Sequence, residues 1–596
     1  MGISRFNAAL SFALSGSFVL TPLVVLPLFS SVFAISKLFV VALATAVCAW
    51  TFLRRDVPGT RADVPLAVFC VSAAVSAALS TDVRWSLFGR HYDVLFSSLG
   101  LAGCVAGFYS GAALAREKKF HEAVAWAVCA SVLVSFVSLF QAAGFTPFGS
   151  TLWATDARVG ATMGNPVSLG AYFAWVLPLA LHMASQKNLH ARKIGSAAVT
   201  AGSLALFYSG SRGALLGALS AAAVYGWPIF EKAFKFSAVR HAKKWGLAAL
   251  FAAAALALSL GLRSSNQYLG SDSARFDLWR IAVEMFSDQP IFGAGPGTYS
   301  IFFTRLESEA TARIYTGSGG QDHAHNDWLE ILATAGLAGF CCYIWLHAAA
   351  LKGAVNAVRA GPDGLTRALA ASVVGIFVQA KTNSPSFAVA WLGAVSLGGI
   401  LLDRSGRQGF RRRLPALLFF PAAAYFLFFA GARVAADRLN FMGHAARQEG
   451  RPRDAANYYE KAISMNPDMD KYRYDLANLL WDISGGAVFG KAEGSQVLLL
   501  GRAAEVAAEG LLLHPRSINL HRLLGLAELK RYQWAGEDRL AAAQEALERA
   551  LDAGPFFEKT LKDLIAVARL KGDVERVKQL ESRVKRIGGK VWHERK

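Results

Sequence analysis

Apolar stretches of about 16 to 22 residues recur along the first 435 residues, and nothing else in the sequence restricts the fold so tightly. A helix rises about 1.5 Å per residue, so such stretches cross, or nearly cross, a hydrocarbon core roughly 30 Å thick. About thirteen stand out, centred near Leu20, Val41, Ala73, Gly103, Val132, Trp175, Ala201, Leu219, Ala252, Phe340, Ile376, Ala394 and Leu418. Charged residues make up only 17% of the chain against 54% hydrophobic ones, where soluble domains run to about a quarter charged. The expected fold is all-α: a polytopic membrane protein with about 12 to 13 transmembrane helices. The first stretch has only Arg5 as a basic flank, and a second follows almost at once; this predicts a retained helix rather than a cleaved signal peptide. Cys48, Cys70, Cys104, Cys129, Cys341 and Cys342 all lie in apolar stretches, so neither a disulfide framework nor a thiolate metal site is expected.

The formal net charge of +20 raises the question of a nucleic-acid partner, and its distribution answers it. Residues 440–596 hold 26 Lys and Arg against 22 Asp and Glu, so most of the excess sits in the membrane part. There it is concentrated in alternate short loops, at 54–61, 116–119, 187–193, 231–244, 352–367 and 403–413. Cytoplasmic loops carry the surplus of Lys and Arg. That rule puts those loops and the N-terminus inside; the loops around Trp85, Arg158, Arg212 and Asn383, the stretch 263–327 and everything beyond about Arg433 fall outside. Topology accounts for the charge, and no nucleic acid is expected.

Two regions interrupt the membrane pattern. The stretch 263–327 is the only long polar break between apolar segments, and loops of that length are usually functional or disordered. Within it, Phe276, Trp279, Val283 and Phe286 fall at spacings of three and four, which predicts a short helix with an apolar face able to lie on the membrane surface. Pro290 ends it, and "GAGPG" (293–297) follows as a turn; without a preceding strand and a Lys-Ser/Thr this is no phosphate loop. The expected division is a membrane domain over 1–435 and a helical-repeat domain over 440–596. In the latter, small residues, a helix and then Pro467, Pro515 or Pro555 recur. The pattern resembles tetratricopeptide repeats with insertions such as "SGGAVFGKAEG" (484–494), and such a domain usually binds a protein or glycan partner.

Charge is sparse on the outer side, so the arginines there stand out: Arg84, Arg90, Arg158, Arg212, Arg275 and Arg280. One basic residue at a membrane boundary can simply snorkel. Several converging guanidinium groups suit a phosphate or pyrophosphate, which they bind bidentately. Arg280 has Asp277 three residues before it and Glu284 four after, so its own helix neutralises it; Arg275 is the freer of the two. "QDHAHNDWLE" (321–330) packs two histidines, two amides and three carboxylates into ten residues. His323 and His325 could share a zinc ion in extended structure, but Trp328 stands where a further histidine ligand would be needed. Alternatively, neutral His325 at the entrance of the next helix accepts a proton from an attacking hydroxyl, while Asn326 or Asp327 caps that helix.

The order of "SLFGRHYD", "RVGATMGNPVSLGAY", "SGSRGALLG", "RFDLWR", "PIFGAGPGTY" and "HAHNDWLEILATAGLAG" resembles the O-antigen ligase and polymerase superfamily across most of residues 60–400. The last segment is the most specific: His325, Asn326, Gly336 and Gly339 match the ligase motif. The resemblance implies a GT-C-like glycosyltransferase at the outer face of the bacterial inner membrane. A glycan carried on undecaprenyl pyrophosphate would pass to an acceptor hydroxyl, with inversion at the anomeric carbon and no metal or other cofactor. It also implies His325 as the base and Arg212 and Arg275 as the groups holding the pyrophosphate, with Arg158, Arg90, Arg280 and Asn326 as further substrate contacts. His91 and Tyr92 stand where relatives often have another arginine, and the repeats are absent from the simplest ligases. The acceptor is left open between lipid A-core, a second glycan and a protein. Readings of another class are a lipid-linked glycan transporter and an assembly scaffold acting through the repeats.

Overall fold

A computed structural model of the protein describes residues 2–53, 57–90, 94–145, 158–234, 269–315, 321–359, 364–403, 413–485 and 494–588. Among these residues the regular structure is helical, apart from one isolated bridge between Thr60 and Leu402. The membrane part begins with α1 (Gly2–Leu23), α2 (Ala34–Leu53), α3 (Asp63–Ala78), the short α4 (Val83–Phe88), α5 (Ser98–Arg116), α6 (Phe120–Ala142), α7 (Pro166–Ala184), α8 (Leu189–Tyr208) and α9 (Arg212–Phe234). The long loop follows with α10 (Leu269–Asp288), α11 (Tyr299–Leu306) and α12 (Glu309–Tyr315). Then come α13 (Asp327–Arg359), α14 (Gly364–Ala380), α15 (Phe387–Leu401) and α16 (Arg413–Gln448). Ala252 lies outside the described residues; every other expected centre falls in a helix. Five helices among the described residues are long and apolar enough to cross a membrane, at Ala34–Phe52, Ser98–Arg116, Phe120–Ala142, Pro166–Ala184 and Asp327–Arg359. Ser11–Leu23, Asp63–Ala78, Gly364–Ala380 and Phe387–Leu401 are apolar but shorter. The chain is a multi-pass, all-α membrane protein.

Helices in lipid gain little from burying apolar faces against one another, so close contacts and buried polar ties hold them together. Trp175 of α7 and Trp391 of α15 are fully buried, and Phe18 of α1 meets both edge-on, at ring distances of 5.6 and 6.5 Å. The Trp175 indole N–H donates to Ser396 Oγ at 2.9 Å, and the Ser372 hydroxyl donates to the Trp175 carbonyl at 2.6 Å. Those bonds fix α7 to α15 and α14.

The apolar stretch near Phe340 is overlong because α13 is two helical segments meeting at Gly336, whose φ of 64° and ψ of −168° are not helical. The break removes two rungs of the ladder, and the loop replaces them. Leu337 and Ala338 donate their amides to the carbonyls of Pro290 and Ile291, at 2.8 and 3.1 Å. In return, Ala294 and Gly295 donate to the carbonyls of Ala333 and Thr334, at 3.1 and 2.9 Å. "GAGPG" is thus the expected turn, stitched into the helix it faces.

In the loop, α10 buries Leu278, Ile281, Ala282 and Met285 against Tyr299, Phe302, Phe303, Ala324 and Ala333. Phe276 and Val283, on the face expected to lie on the membrane surface, are 67% and 48% exposed. The helix has apolar residues on two sides, and periodicity alone could not say which one meets protein. The outward side keeps the character required of a membrane-lying surface.

The composition shift near Arg433 falls inside continuous α16 rather than in a linker. Ser30 and Ser31 bond Asn440 and Asp437 on this helix, and the Arg433 guanidinium donates to the carbonyls of Phe88 and Gly89, both at 3.2 Å. Beyond it, α17 (Pro452–Met465), α18 (Asp470–Ser484), α19 (Gly494–Leu513), α20 (Ile518–Ala535), α21 (Leu540–Ala553), α22 (Glu558–Leu570) and α23 (Val574–Arg586) each pack on the next. The turns at Pro467, Pro515 and Pro555 share one geometry, in which Met469, Ser517 and Phe557 donate to the carbonyls of Asn466, His514 and Gly554. Most of the segment 484–494 lies outside the described residues. The helical stack folds back on the loops: Ala312 of α12 joins the core formed by Leu529, Leu547 and Leu564, Glu309 pairs with Arg586 at 3.2 Å, and Trp85 meets His514.

A Cβ on Gly336 would lie 2.4 Å from the Ile291 carbonyl oxygen, in a backbone region that L-residues rarely adopt. Strain of that kind costs on the order of 1–3 kcal/mol before the clash is counted. Gly336→Ala is therefore expected to lower the thermal unfolding midpoint in detergent and to speed proteolysis within 290–320; an unchanged midpoint would refute the stitched break.

Candidate functional site

The site lies where α13 starts, α14 ends and α9 starts. Asn326 supplies the expected cap: its Oδ1 accepts the amides of Trp328 and Leu329, at 3.0 and 3.3 Å, relieving two of the donors that a helix start leaves open. That use commits the Asn326 oxygen to structure. Buried Glu330 accepts the Ala324 amide at 2.8 Å and holds the histidine loop down on the helix. His325 then takes φ +53°, a left-handed conformation uncommon outside glycine.

His325 Nδ1 lies 2.8 Å from Asn383 Oδ1, and Nε2 lies 3.0 Å from the Gln321 side-chain amide. Burial, the neighbouring His323 and Arg275 together push the ring well below the ordinary imidazole range, to about 4, against the opposing pull of Asn383. It is consequently neutral near pH 7. A neutral imidazole has one N–H and one lone pair. The shorter contact takes Nδ1–H to Asn383, which leaves Nε2 as the basic nitrogen and requires Gln321 to offer its NH2 there, since amide orientation follows the network.

Neither Asn383 nor Gln321 was singled out as a site residue from sequence; their only signal was a place on the loops assigned to the same face. A second pair stands behind them. Buried Asp327 accepts from Lys381 Nζ at 2.6 Å and from the Tyr343 hydroxyl at 2.9 Å. Lys381 precedes Asn383 by two positions and Asp327 follows His325 by two, so this ion pair clamps the His325 ring to its hydrogen-bond partner. Lys381 also lies over the Trp328 ring, 4.8 Å from its centre.

The arginines distribute unevenly. Arg275 is close enough to His325 to depress its titration. Arg212 opens α9, and a Cβ on the adjoining Gly213 would overlap Thr382 Oγ1, so this helix start abuts the turn carrying Asn383. Arg158 donates from Nε to the Ser209 carbonyl at 2.9 Å, just before Arg212. Arg90 lies 3.5 Å from Asp322 and stacks over Trp85 at 4.9 Å, beside the histidine loop. Arg84 instead pairs with Asp468 of the helical stack. Arg280 is bound by Asp277, Glu284 and the Leu306 carbonyl, which is the neutralisation its helix spacing implied; its geometry serves the loop and shows no ligand role. His91 and Tyr92 lie outside the described residues. His323 packs edge-on against Phe96, and no group of three or more His, Cys, Asp or Glu among the described residues could hold a metal ion.

Beneath the histidine loop, a cavity of about 230 Å³ runs between α3, α5, α13, α14 and α15. Phe69, Leu101, Phe108, Ile376, Phe377 and Leu397 make it mostly apolar, while Asp327, Thr334 and Tyr343 add polar groups.

Residues 197–344 match the family model described as O-antigen ligase. Over that segment the chain is similar to the O-antigen ligases. The matched segment contains Arg212, Arg275 and His325, and the match supports an O-antigen ligase- or polymerase-like membrane glycosyltransferase in general. No curated protein matches the chain. Among solved structures it is similar to a chain described as "MamA RS-1 ArsTM double mutant", at 20% identity over 29% of this chain and 84% of that one, with a TM-score of 0.21.

Because His325 stays neutral to about pH 4, its modification by diethyl pyrocarbonate, mapped by mass spectrometry, should hold nearly level from pH 7 to 5 while exposed histidines lose reactivity. Asn383→Asp places a carboxylate on Nδ1 and is expected to move the His325 inflection upward by about 1 unit or more. An inflection near 6.5 in the unsubstituted protein would contradict the described environment.

Proposed function

We propose that this protein transfers a glycan from undecaprenyl pyrophosphate to an acceptor hydroxyl at the outer face of the bacterial inner membrane, in the manner of an O-antigen ligase. The observation that carries this reading is the neutral His325 imidazole held beside Arg275 and next to the helix start bearing Arg212. A base that stays unprotonated beside guanidinium groups can take a proton while those groups face an anion. His325 Nε2 accepts the proton of the acceptor hydroxyl as its oxygen attacks the anomeric carbon. The bond from that carbon to the pyrophosphate oxygen breaks, and Arg212 and Arg275 receive the charge that develops on the departing lipid pyrophosphate. Attack opposite the leaving group inverts the anomeric centre. The α9 N-terminus adds its partial positive charge, and Arg158 and Arg90 extend the cationic lining. The apolar cavity supports a lipid-borne donor, since it ends beside this polar cluster at Asp327.

Orientation follows the same reading: cytoplasmic N-terminus, with the histidine loop and helical stack in the periplasm. The stack rests on the loop that carries α10 to α12, a position suited to receiving an acceptor; lipid A-core, a glycan chain and a protein remain alternatives for the assay to separate.

The test is purified protein with an undecaprenyl-pyrophosphate-linked glycan and each acceptor in turn, products read by mass spectrometry. His325→Ala is expected to lower turnover by about 100-fold or more while leaving donor binding within a few fold. Arg275→Gln and Arg212→Gln are each expected to lower turnover by about 10² to 10³. Unaltered lipid flux in His325→Ala with no transferred product from the unsubstituted protein would favour a transporter instead. The acid limb of the turnover profile should lie near pH 4 to 5, because protonation of His325 removes the base and its titration is depressed to about 4.

A further inference from the structure

A second cleft, away from the histidine loop, lies where the long loop meets the helical stack. Its volume is about 500 Å³, within the range of roughly 300–1,000 Å³ typical of small-ligand sites. Arg305 of α11, Arg516 of the Pro515 turn and Arg549 of α21 line it, against one carboxylate, Asp552. Three chain segments far apart in sequence therefore bring guanidinium groups to one concave surface. Arg549 pairs with Glu545 at 2.6 Å on the exposed side of α21; among the described residues no acid pairs with Arg305 or Arg516. Like charges gathered without matching carboxylates repel one another, and an anionic ligand removes that cost.

The remaining lining narrows the chemistry. His521 is 6% exposed, and its Nε2–H donates to the Pro515 carbonyl at 2.9 Å. Burial and the neighbouring Arg549 hold the ring below the ordinary imidazole range, so it is neutral and its Nδ1 is a lone-pair acceptor. That nitrogen has no hydrogen-bond partner among the described residues. Ile301 and Phe302 of α11 provide an apolar wall of the kind on which a pyranose ring can lie. Guanidinium forks for phosphate or carboxylate facing an apolar wall together describe an acidic sugar.

We infer that the cleft between α11 and the helical stack binds a saccharide bearing phosphate or carboxylate groups. This site is separate from the one containing His325, and its occupancy does not require the transfer reaction. The ligand would join the loop to the stack, because Arg305 comes from one and Arg516 and Arg549 from the other.

Calorimetry on the full-length protein in neutral detergent, with no lipid-linked donor present, tests it. The probes are mannose 6-phosphate, trigalacturonate, maltotriose, inorganic phosphate and a triglutamate peptide. The expected result is binding of mannose 6-phosphate or trigalacturonate that weakens as sodium chloride rises, with maltotriose, phosphate and triglutamate at least tenfold weaker. Arg305→Gln combined with Arg516→Gln should weaken saccharide binding at least tenfold, and Arg516→Lys should retain part of it. Both arginines are exposed, and an unchanged elution volume and helical circular dichroism verify that the variants fold. Equal binding by the double variant, equal binding of maltotriose, binding of phosphate or triglutamate as tight as that of the acidic sugars, or no binding by any probe would each overturn the inference. Because no step depends on His325, these outcomes are independent of whether glycan transfer is observed.

Discussion

Four backbone hydrogen bonds exchanged at Gly336 carry much of the organisation described above. In an unbroken helix, Leu337 and Ala338 would donate to the carbonyls of Ala333 and Thr334. They donate instead to Pro290 and Ile291, and the vacated carbonyls accept from Ala294 and Gly295. Buried backbone groups cannot go unpaired cheaply, least of all near lipid, so each side of the exchange requires the other. One side leads through α10 to Arg275, and the other through the first turns of α13 to His325. A glycine break in a membrane helix thereby fixes one end of a loop whose other contacts are to the helical stack. Ser76 reinforces it, donating to the same Thr334 carbonyl at 2.9 Å.

The electrostatic character of the site follows from this geometry. Alone in water, His325 would be partly protonated at mildly acidic pH; enclosed beside His323 and Arg275, it stays neutral. Burial and the nearby guanidinium thus both favour the neutral imidazole. The Lys381–Asp327 pair behaves differently, since its charges offset each other within a mostly buried setting and serve to align Asn383 with the ring. A carboxylate at Asn383 would reverse this balance by raising the imidazole into its protonated form. An amide is the side chain that orients the ring without charging it.

Several of these features were legible in the sequence. The apolar stretches marked helices correctly except where the structure is undescribed, near Ala252. The "HAHND" segment supplied a helix cap at Asn326 and a histidine above it, and Asp277 and Glu284 announced the neutralisation of Arg280 through i,i+3 and i,i+4 spacing. The Pro467, Pro515 and Pro555 turns recur in space as they do in sequence. Other features were not legible. The spacing of Phe276 and Val283 marked a membrane-lying face of α10 but gave no sign that Leu278, Ile281 and Met285 meet a protein core; a helix apolar on two sides carries no mark of which side has a partner. The change in composition near Arg433 suggested a boundary, yet α16 crosses it, because helix continuity depends on backbone bonding rather than on whether the exposed side chains are charged.

By itself, then, the sequence determined the all-α membrane architecture, the turn at 293–297, the capped start of α13 and the residue types available for acid–base and anion chemistry. Each depends on interactions within a few residues along the chain or on the average polarity of a segment. The tertiary structure alone decided that Asn383 orients His325, that Lys381 and Asp327 clamp them, that Arg275 and not Arg280 bears on the imidazole, and that Arg305 meets Arg516 and Arg549 in one cleft. Those pairings join residues from about fifty to more than two hundred positions apart. No local preference encodes such contacts, which form only when packed helices bring their ends to the same side.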